Sequence, residues 1–222
     1  MATEQSIDLV RPHVPFDRAD EVAFFDGWNA TGGPKYPRDN VVRFCLRRIP
    51  DRSMRTHARV LDLGCGGGVH AIFMAAEGFD VSACDLSPTG IAVTTRRLAE
   101  RGLTAQTCVA ALDTLPYAAG SFDLIVCVGV LECTPPGYAE AAMPMVARLL
   151  KPKGVGYFIF ASDKDYRIDD PRNPFVRRGY SEQEVVSLFQ MSFPVVEINR
   201  HVETERNRSV ALDEWMVTAS VL

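Results

Sequence analysis

The chain has 222 residues, of which 47% are hydrophobic and 23% charged, a composition typical of a globular protein with one sizeable core. Its net charge of −4 gives no basic surface of the kind that nucleic-acid-binding proteins use, so we expect a small-molecule partner and no nucleic acid. The longest uncharged apolar run, 124–131, is far shorter than the roughly 18 residues that span a bilayer. We therefore expect no membrane insertion, and the sequence makes no prediction about oligomeric state.

Six cysteines are scattered along the chain without a C-x-x-C pair, and most lie in apolar runs where a free thiol behaves as a small hydrophobic group. We predict that they are reduced and buried, and we expect no metal site because neither they nor the histidines have metal-ligand spacing. The N-terminal MATEQSIDLVRPHVPF lacks the basic and apolar segments of a signal peptide, so we expect a cytoplasmic location. The cysteines are Cys45, Cys65, Cys84, Cys108, Cys127 and Cys133.

From residue 59 onward, short apolar strands alternate with helical patterns. RVLDL (59–63) predicts a buried strand, GVHAIFMAAEG (68–78) a helix, and FDVSACD (79–85) the next strand. Ser87 is a suitable N-cap and Pro88 fits the first helical position, so a second helix should begin there.

The alternation continues through the middle of the chain. Strands are predicted over 104–110, 122–128 and 155–161. A helix is predicted over 138–150, and KPKG (151–154) should end it with cations near the C-terminal dipole.

Three further elements complete the predicted fold. Ser181 and Glu184 form a capping-box pattern that opens a helix, and strands follow over 194–199 and 213–221. The 13 polar-rich residues between these strands carry no helix signal, so we expect the strands to pair antiparallel. Alternating strands and helices indicate an α/β fold with a doubly wound, mostly parallel sheet.

Residues 1–57 do not follow this rhythm. They begin with a proline-rich tail, continue with aromatic residues around a TGGPKYP turn, and contain a predicted helix over 37–48. We interpret 1–57 as a helical cap over the ligand-binding edge of the sheet, and 58–222 as the ligand-binding domain.

The stretch VLDLGCGGGVHA (60–71) predicts a strand that ends in a glycine turn and opens a helix. Such a turn presents backbone N–H groups at the sheet edge where α/β proteins bind ligands. G-x-G-x-x-A can be read from Gly66, and Asp85 follows at the distance of a ribose-binding carboxylate, so these two features fit a dinucleotide as well as other nucleosides.

Asp62 separates the two ligand classes. A carboxylate beside the loop would repel a pyrophosphate by roughly 1 to 4 kcal/mol, whereas a ligand with a cationic amine would gain from it. S-adenosylmethionine has such an amine, a sulfonium and a carboxylate, but no phosphate. Asp62 therefore favours an aminoacyl cation over a dinucleotide.

The combination of D-L-G-C-G-G-G, CDLSPTGI and LPYAAGSFDLIV resembles the class I S-adenosylmethionine-dependent methyltransferases, from about residue 58 to the C-terminus. Within them the chain is similar to the small bacterial tellurite-resistance-like and type 11/12 groups, in which the W…YP segment, here Trp28 and Lys35-Tyr36-Pro37, also occurs. The resemblance implies a Rossmann-like, seven-stranded sheet with an antiparallel C-terminal strand. S-adenosylmethionine would be the cofactor and S-adenosylhomocysteine its product.

The resemblance also implies residue roles in cofactor binding. Asp85 would accept hydrogen bonds from the ribose hydroxyls and Leu86 would cover one face of the adenine. Apart from the resemblance, we expect cofactor contacts from Asp62, by the charge argument above, and from Tyr36, for which packing of the cap onto the sheet is the alternative. The methionine moiety would lie on the loop residues Gly64, Cys65, Gly66 and Gly68.

Two positions depart from the family's pattern. The acidic residue that often receives the adenine amine is replaced by Ala111, so Asp113 or the backbone of Leu112 would take its place. After the fourth strand, the segment containing Val128 would lie beside the transferred methyl group, and Glu132 stands where many relatives have histidine. Glu132 is our candidate catalytic residue, as a base or as a partner for a cationic substrate; a solvated residue at a helix start is the alternative.

These observations favour in-line methyl transfer to an oxygen, nitrogen or sulfur atom of a small molecule, with the cap and the 162–180 loop closing over the acceptor. Two alternatives remain open at this point. A dinucleotide-dependent oxidoreductase would bind NAD, and a non-catalytic module would bind the cofactor without turnover.

Overall fold

The computed structural model describes residues 18–31, 33–205 and 209–222. The first 17 residues of the predicted cap, and Gly32 in its turn, lie outside the described residues.

Seven strands form one sheet in the order β3-β2-β1-β4-β5-β7-β6. Strand β7 runs antiparallel to both of its neighbours, β5 and β6, and the other six strands are parallel to one another. This confirms the predicted doubly wound sheet with its antiparallel C-terminal strand. The strands are β1 (Arg59–Leu63), β2 (Asp80–Asp85), β3 (Gln106–Val109), β4 (Phe122–Val128), β5 (Leu150–Ala161), β6 (Val195–Glu205) and β7 (Val210–Ser220).

Helices cover both faces of the sheet. The predicted caps are present: Ser87 Oγ accepts from the Gly90 N–H at 2.9 Å, and Ser181 forms a capping box with Glu184. Within the described ranges, no helix is both long and apolar enough to cross a membrane. The helices are α1 (Arg18–Ala30), α2 (Asp39–Arg48), α3 (Arg52–Arg55), α4 (Val69–Ala76), α5 (Pro88–Ala99), α6 (Tyr138–Leu149) and α7 (Glu182–Gln190); two 3₁₀ turns cover Leu131–Cys133 and Tyr166–Ile168.

The sheet separates two apolar cores. Helices α6 and α7 pack on one face, where Phe158 contacts Phe189 edge-on. Helices α2, α4 and α5 pack on the other face, where Phe44 stacks on Tyr157. All six cysteines are free thiols, and all except the half-buried Cys108 are buried, close to the prediction.

The structure corrects the predictions for residues 18–30 and for KPKG. Helix α1 lies at 18–30, where the sequence predicted no helix because its aromatic residues show no clear helical period. KPKG (151–154) lies in β5 instead of ending the preceding helix. Within it Lys153 takes a positive φ of 65°, and the β4–β5 register shifts between Phe122 and Leu124.

The predicted irregular connection of 13 residues between the last two strands is wrong. The β6–β7 pairing continues to Glu205 and Val210, so only 206–209 separates the strands. Residues 200–205 of β6 read RHVETE and contain a single apolar residue, Val202, so this part of the strand lacks the apolar alternation that predicts a strand.

Candidate functional site

The glycine loop turns the backbone between β1 and α4 at the carboxyl edge of the sheet. The Gly64 N–H donates to the Cys84 carbonyl at 2.8 Å, which fixes the loop to the neighbouring strand. Gly64 has a φ of 75°, and a Cβ there would overlap the side chain of Val130. Gly68 has a φ of 78°, and a Cβ there would lie 2.5 Å from Thr94. Both positions therefore require glycine for conformational and steric reasons.

Asp62 lies in β1 beneath this loop and is 1% exposed. Its Oδ2 accepts a hydrogen bond of 2.8 Å from the Ala71 N–H in the first turn of α4. Burial raises the pKa of Asp62 to about 7, against the lowering effect of this hydrogen bond. The carboxylate thus supports the start of α4, and it lines neither of the two cavities described below. Its predicted contact with an aminoacyl cation stays a prediction.

Asp85 ends β2, and both of its carboxylate oxygens accept backbone hydrogen bonds. Oδ2 accepts from the Gly66 N–H at 2.7 Å, and Oδ1 accepts from the Ser87 N–H at 2.8 Å. Burial raises the pKa of Asp85, although these two hydrogen bonds lower it. Each oxygen retains a further lone pair for a ligand hydroxyl.

Helix α1 packs against the same edge. Asp26 Oδ1 accepts from the Ser87 hydroxyl at 2.5 Å and from the Thr89 N–H at 2.9 Å, so α1 contributes to the cap of α5. The buried Asn29 side chain lies against Gly66 and Gly90. The N-terminal segment therefore contacts the glycine loop directly.

The first of two cavities at this edge, the β2-side cavity, encloses about 130 Å³ and is mostly apolar. The ends of β2 and β3 supply one wall and α1 supplies the other. Asp113 does not line it, but its carboxylate pairs at 2.6 Å with Arg18, which does. The lining includes Asp85, Leu86, Ala110, Ala111, Leu112, Arg18, Glu21, Phe25, Val130 and Tyr138.

The second cavity, the β4-side cavity, encloses about 350 Å³. It meets the β2-side cavity at Gly64, Gly129 and Cys133, which line both. Its other walls come from the loop, the N-terminal segment and the segment after β5: Cys65, Gly67, Val69, His70, Val128, Glu132, Trp28, Pro34, Tyr36, Arg38, Arg167, Asn173, Phe175 and Val176.

Glu132 lies in the 3₁₀ turn after β4 and is 1% exposed. Its Oε2 has no hydrogen-bond partner among the described residues. Burial raises the pKa of Glu132 to about 7, and the positive charges of Arg167 and Arg38 oppose this rise. A carboxyl group with this pKa can accept a proton near neutral pH.

A cluster of ion pairs borders the β4-side cavity. Arg38 donates to both carboxylate oxygens of Glu214 at 2.5 and 2.9 Å. Arg167 donates to both oxygens of Asp165 at 2.9 Å and to Glu214 at 2.8 Å. Bidentate pairs of this kind fix side-chain geometry, so the cluster holds this wall of the cavity in place.

His70 lines the same cavity from the first turn of α4. Its Nε2 accepts a weak hydrogen bond of 3.4 Å from the Arg38 N–H. Burial lowers the pKa of His70 to about 4, so the imidazole is neutral at pH 7. Within the part of the chain that the structure describes, no group of three or more His, Cys, Asp or Glu side chains is arranged to hold a metal ion.

The structure brings most of the predicted site residues to these two cavities. Asp85, Leu86, Ala111 and Leu112 line the β2-side cavity, while Tyr36, Cys65, Val128 and Glu132 line the β4-side cavity, and Gly64 lines both. Gly66 and Gly68 shape the loop without lining a cavity. Sequence reasoning missed Arg38, Arg167 and Asn173, because their shared location depends on tertiary packing that no local pattern reports.

Known proteins resemble this chain in sequence. Residues 60–154 match a family described as a methyltransferase domain. A ubiquinone biosynthesis O-methyltransferase of Xylella fastidiosa is 36% identical over 133 residues, which are 60% of this chain and 53% of that protein. Residues 60–154 therefore form a domain of this methyltransferase family. The chain spans about half the length of the curated relatives that it matches.

Solved structures support the same fold. Magnesium protoporphyrin IX methyltransferase (ChlM) from Synechocystis PCC 6803, with bound SAH, superposes with a TM-score of 0.68 at 17% identity. The match covers 92% of the chain described here and 100% of the ChlM chain. A protein that converts a disulfide bond into a thioacetal group during echinomycin biosynthesis superposes with a TM-score of 0.67 at 22% identity, covering 90% and 92% of the two chains. The narrower resemblance to tellurite-resistance-like enzymes stays a prediction.

Proposed function

We propose that the protein transfers a methyl group from S-adenosylmethionine to a small-molecule acceptor. The observation that carries this proposal is the meeting of the two cavities at Gly64, Gly129 and Cys133. Asp85 lies on one side of this junction and Glu132 on the other. A cofactor on the first side and an acceptor on the second would react at the junction.

The residues present fit the cofactor. The apolar β2-side cavity, with Leu86, Ala111 and Leu112 in its lining, suits an adenine ring, and the remaining lone pairs of Asp85 suit the ribose hydroxyls. In the first turn of α4 the Ala71 N–H donates to Asp62, which leaves the N–H groups of Val69 and His70 to suit the methionine carboxylate. Asp113 is held by Arg18, which leaves the Leu112 backbone as our choice for the adenine amine.

The bound cofactor supplies an activated sulfonium methyl group, so the protein's main task is to orient the acceptor and exclude water. Trp28 and Phe175, with ring centroids 4.0 Å apart, line the β4-side cavity and would help to exclude water from it. Glu132 would take the proton that the acceptor loses. Its burial leaves it without a competing hydrogen bond at Oε2 among the described residues.

Our proposal includes a cytoplasmic location and a diffusible acceptor. The six free thiols support a reducing compartment, because secreted proteins usually pair their cysteines. The ubiquinone O-methyltransferase relatives support a small-molecule acceptor rather than a macromolecule.

Calorimetry with S-adenosylmethionine, S-adenosylhomocysteine and NAD tests the cofactor. We expect heat from the first two only, and binding of NAD alone would establish the oxidoreductase alternative instead. Release of S-adenosylhomocysteine is then measured over a panel of amines, phenols, alcohols, thiols and carboxylic acids. Cofactor binding without release over the whole panel would indicate a non-catalytic module.

A further inference from the structure

Two buried hydrogen-bond acceptors that lack donors belong to residues that line the β4-side cavity. Glu132 Oε2 and Asn173 Oδ1 are both buried atoms without a hydrogen-bond partner among the described residues. The two residues line the same cavity. A buried acceptor without a donor costs about 1–3 kcal/mol, and more when it is charged, so two of them in one cavity indicate a ligand that brings N–H or O–H groups.

The charges around the cavity are unequal. Arg38 and Arg167 lie on its wall, but their hydrogen bonds go to Glu214 and Asp165. The two arginines and these two carboxylates balance each other, which leaves the Glu132 carboxylate as an additional negative charge. His70, which also lines the cavity, adds no positive charge, because its burial keeps it neutral. The cavity therefore favours a cation over an anion.

Aromatic rings lie at the mouth of the cavity. Trp28 and Tyr36 are 41% and 82% exposed, and Phe175 packs against Trp28 with a centroid distance of 4.0 Å. The faces of such rings attract ammonium groups and stack on apolar rings. They are suited to bind an aromatic or aliphatic body whose polar end points inward.

We propose that the acceptor is a primary or secondary amine, bound as its ammonium form by Glu132 and Asn173. An ammonium brings at least two N–H donors and one positive charge, which satisfies both acceptors and balances Glu132, whereas a single hydroxyl brings one donor and no charge. This inference rests on the proposed methyl transfer and specifies its acceptor.

The reaction then proceeds in two balanced steps. Glu132 takes one proton from the ammonium, which leaves a neutral amine with a free electron pair. That pair forms the new N–C bond to the methyl carbon as the C–S bond breaks, and the electrons of the C–S bond remain on sulfur. The products are the methylated ammonium and a neutral thioether.

Three ligands of one size test the charge preference: 2-phenylethylamine, 2-phenylethanol and phenylacetate, with catechol as a phenolic comparison. Calorimetry is done on the full chain saturated with S-adenosylhomocysteine. We expect the amine to bind at least about tenfold more tightly than the alcohol, and phenylacetate to bind least. With S-adenosylmethionine, mass spectrometry should detect N-methyl-2-phenylethylamine. Equal or tighter binding of 2-phenylethanol or catechol, or faster methylation of either, overturns the amine assignment while methyl transfer stands.

Two variants identify the groups responsible. Glu132→Gln should weaken 2-phenylethylamine binding about tenfold and leave 2-phenylethanol within about twofold, and Asn173→Ala should weaken the amine about threefold. The affinity for S-adenosylhomocysteine should be unchanged in both, which also shows that they fold. An equal loss for the amine and the alcohol would overturn the proposal, as would a loss of S-adenosylhomocysteine binding in Glu132→Gln. Absence of S-adenosylhomocysteine binding in the unaltered protein would instead refute the proposed function.

Discussion

The two cavities share one edge of the sheet but differ in how they are built. The β2-side cavity is mostly apolar, with one carboxylate, Asp85, held by backbone N–H groups. The β4-side cavity is bordered by Arg38, Arg167 and Glu132, charged side chains from three separate segments. The first is therefore suited to binding by shape and backbone geometry, and the second to binding by the position of charged groups. Substitutions should consequently affect cofactor binding on the first side, and acceptor binding and turnover on the second.

The largest effect should come from Glu132→Gln. Loss of the proton acceptor should lower kcat/KM for methyl transfer by about 10²–10⁴-fold, the usual contribution of one general base. Steady-state release of S-adenosylhomocysteine measures this. The exposed Glu100 on the far end of α5 provides the matched control, Glu100→Gln, for which we expect unchanged activity.

The pH profile provides an independent check on Glu132. Its pKa of about 7 means that the carboxylate form, which accepts the proton, increases as the pH rises through 7. We expect kcat/KM to rise over the same interval in the unaltered protein. A profile that is identical in the glutamine variant would remove Glu132 from the proton transfer.

Asp85→Ala should weaken S-adenosylhomocysteine binding by about 1.5 to 3 kcal/mol, the range for hydrogen bonds to a charged group. Asp80→Ala, at the exposed start of the same strand, should leave the affinity unchanged. Calorimetry measures both. If Asp85→Ala retains full affinity in a folded protein, the β2-side cavity does not bind the ribose.

Gly64→Ala should lower the free energy of unfolding by about 1–3 kcal/mol, because its Cβ would overlap Val130. Gly102 has a similar positive φ but open space around it, so Gly102→Ala should lower the free energy of unfolding by about 1 kcal/mol. Urea denaturation compares the two. Adding Val130→Ala to Gly64→Ala should recover part of the loss, and no recovery would mean that the backbone conformation alone requires glycine.

Asp62 should affect the pH dependence of stability. The pKa of Asp62 is about 7 in the folded protein, above its ordinary value of 3.8. Its contribution to stability is therefore present at low pH and is lost as the pH rises through 7. Asp62→Asn keeps an acceptor for the Ala71 N–H but cannot ionise. The fall of the unfolding free energy with rising pH should therefore become shallower, by at most about 1.4 kcal/mol per pH unit. An unchanged slope between pH 4 and 7 would contradict the burial of a titrating carboxyl here.

Much of the fold was predictable because its signals are local. Ser87 and Ser181 accept hydrogen bonds from N–H groups three residues further along the chain, and β1 and β4 are short, mostly apolar strands. The second half of β6 was missed, since Val202 is its single apolar residue and no alternation marks it as a strand. Lys153 and its positive φ were missed because a change of register depends on the neighbouring strand.

The two sides of the site also differ in how far the sequence predicts them. Gly64, Asp85 and Leu86 lie within two short motifs, so their proximity follows from the order of strand, turn and helix. Arg38 and Glu214 are 176 residues apart, and no pattern in the sequence predicts that they pair. Asp62 was recognised as unusual, but its hydrogen bond to α4 became visible only in three dimensions.

Strand β7 inserts between β5 and β6, although it follows both along the chain. During synthesis β6 therefore has no partner strand until the ribosome has released the residues of β7. Glu214, the carboxylate that joins Arg38 and Arg167, arrives with that same strand. The Asp85 side of the proposed site can thus form before β7 is available, whereas the ion pairs of Glu214 beside the β4-side cavity form only when that strand has joined the sheet.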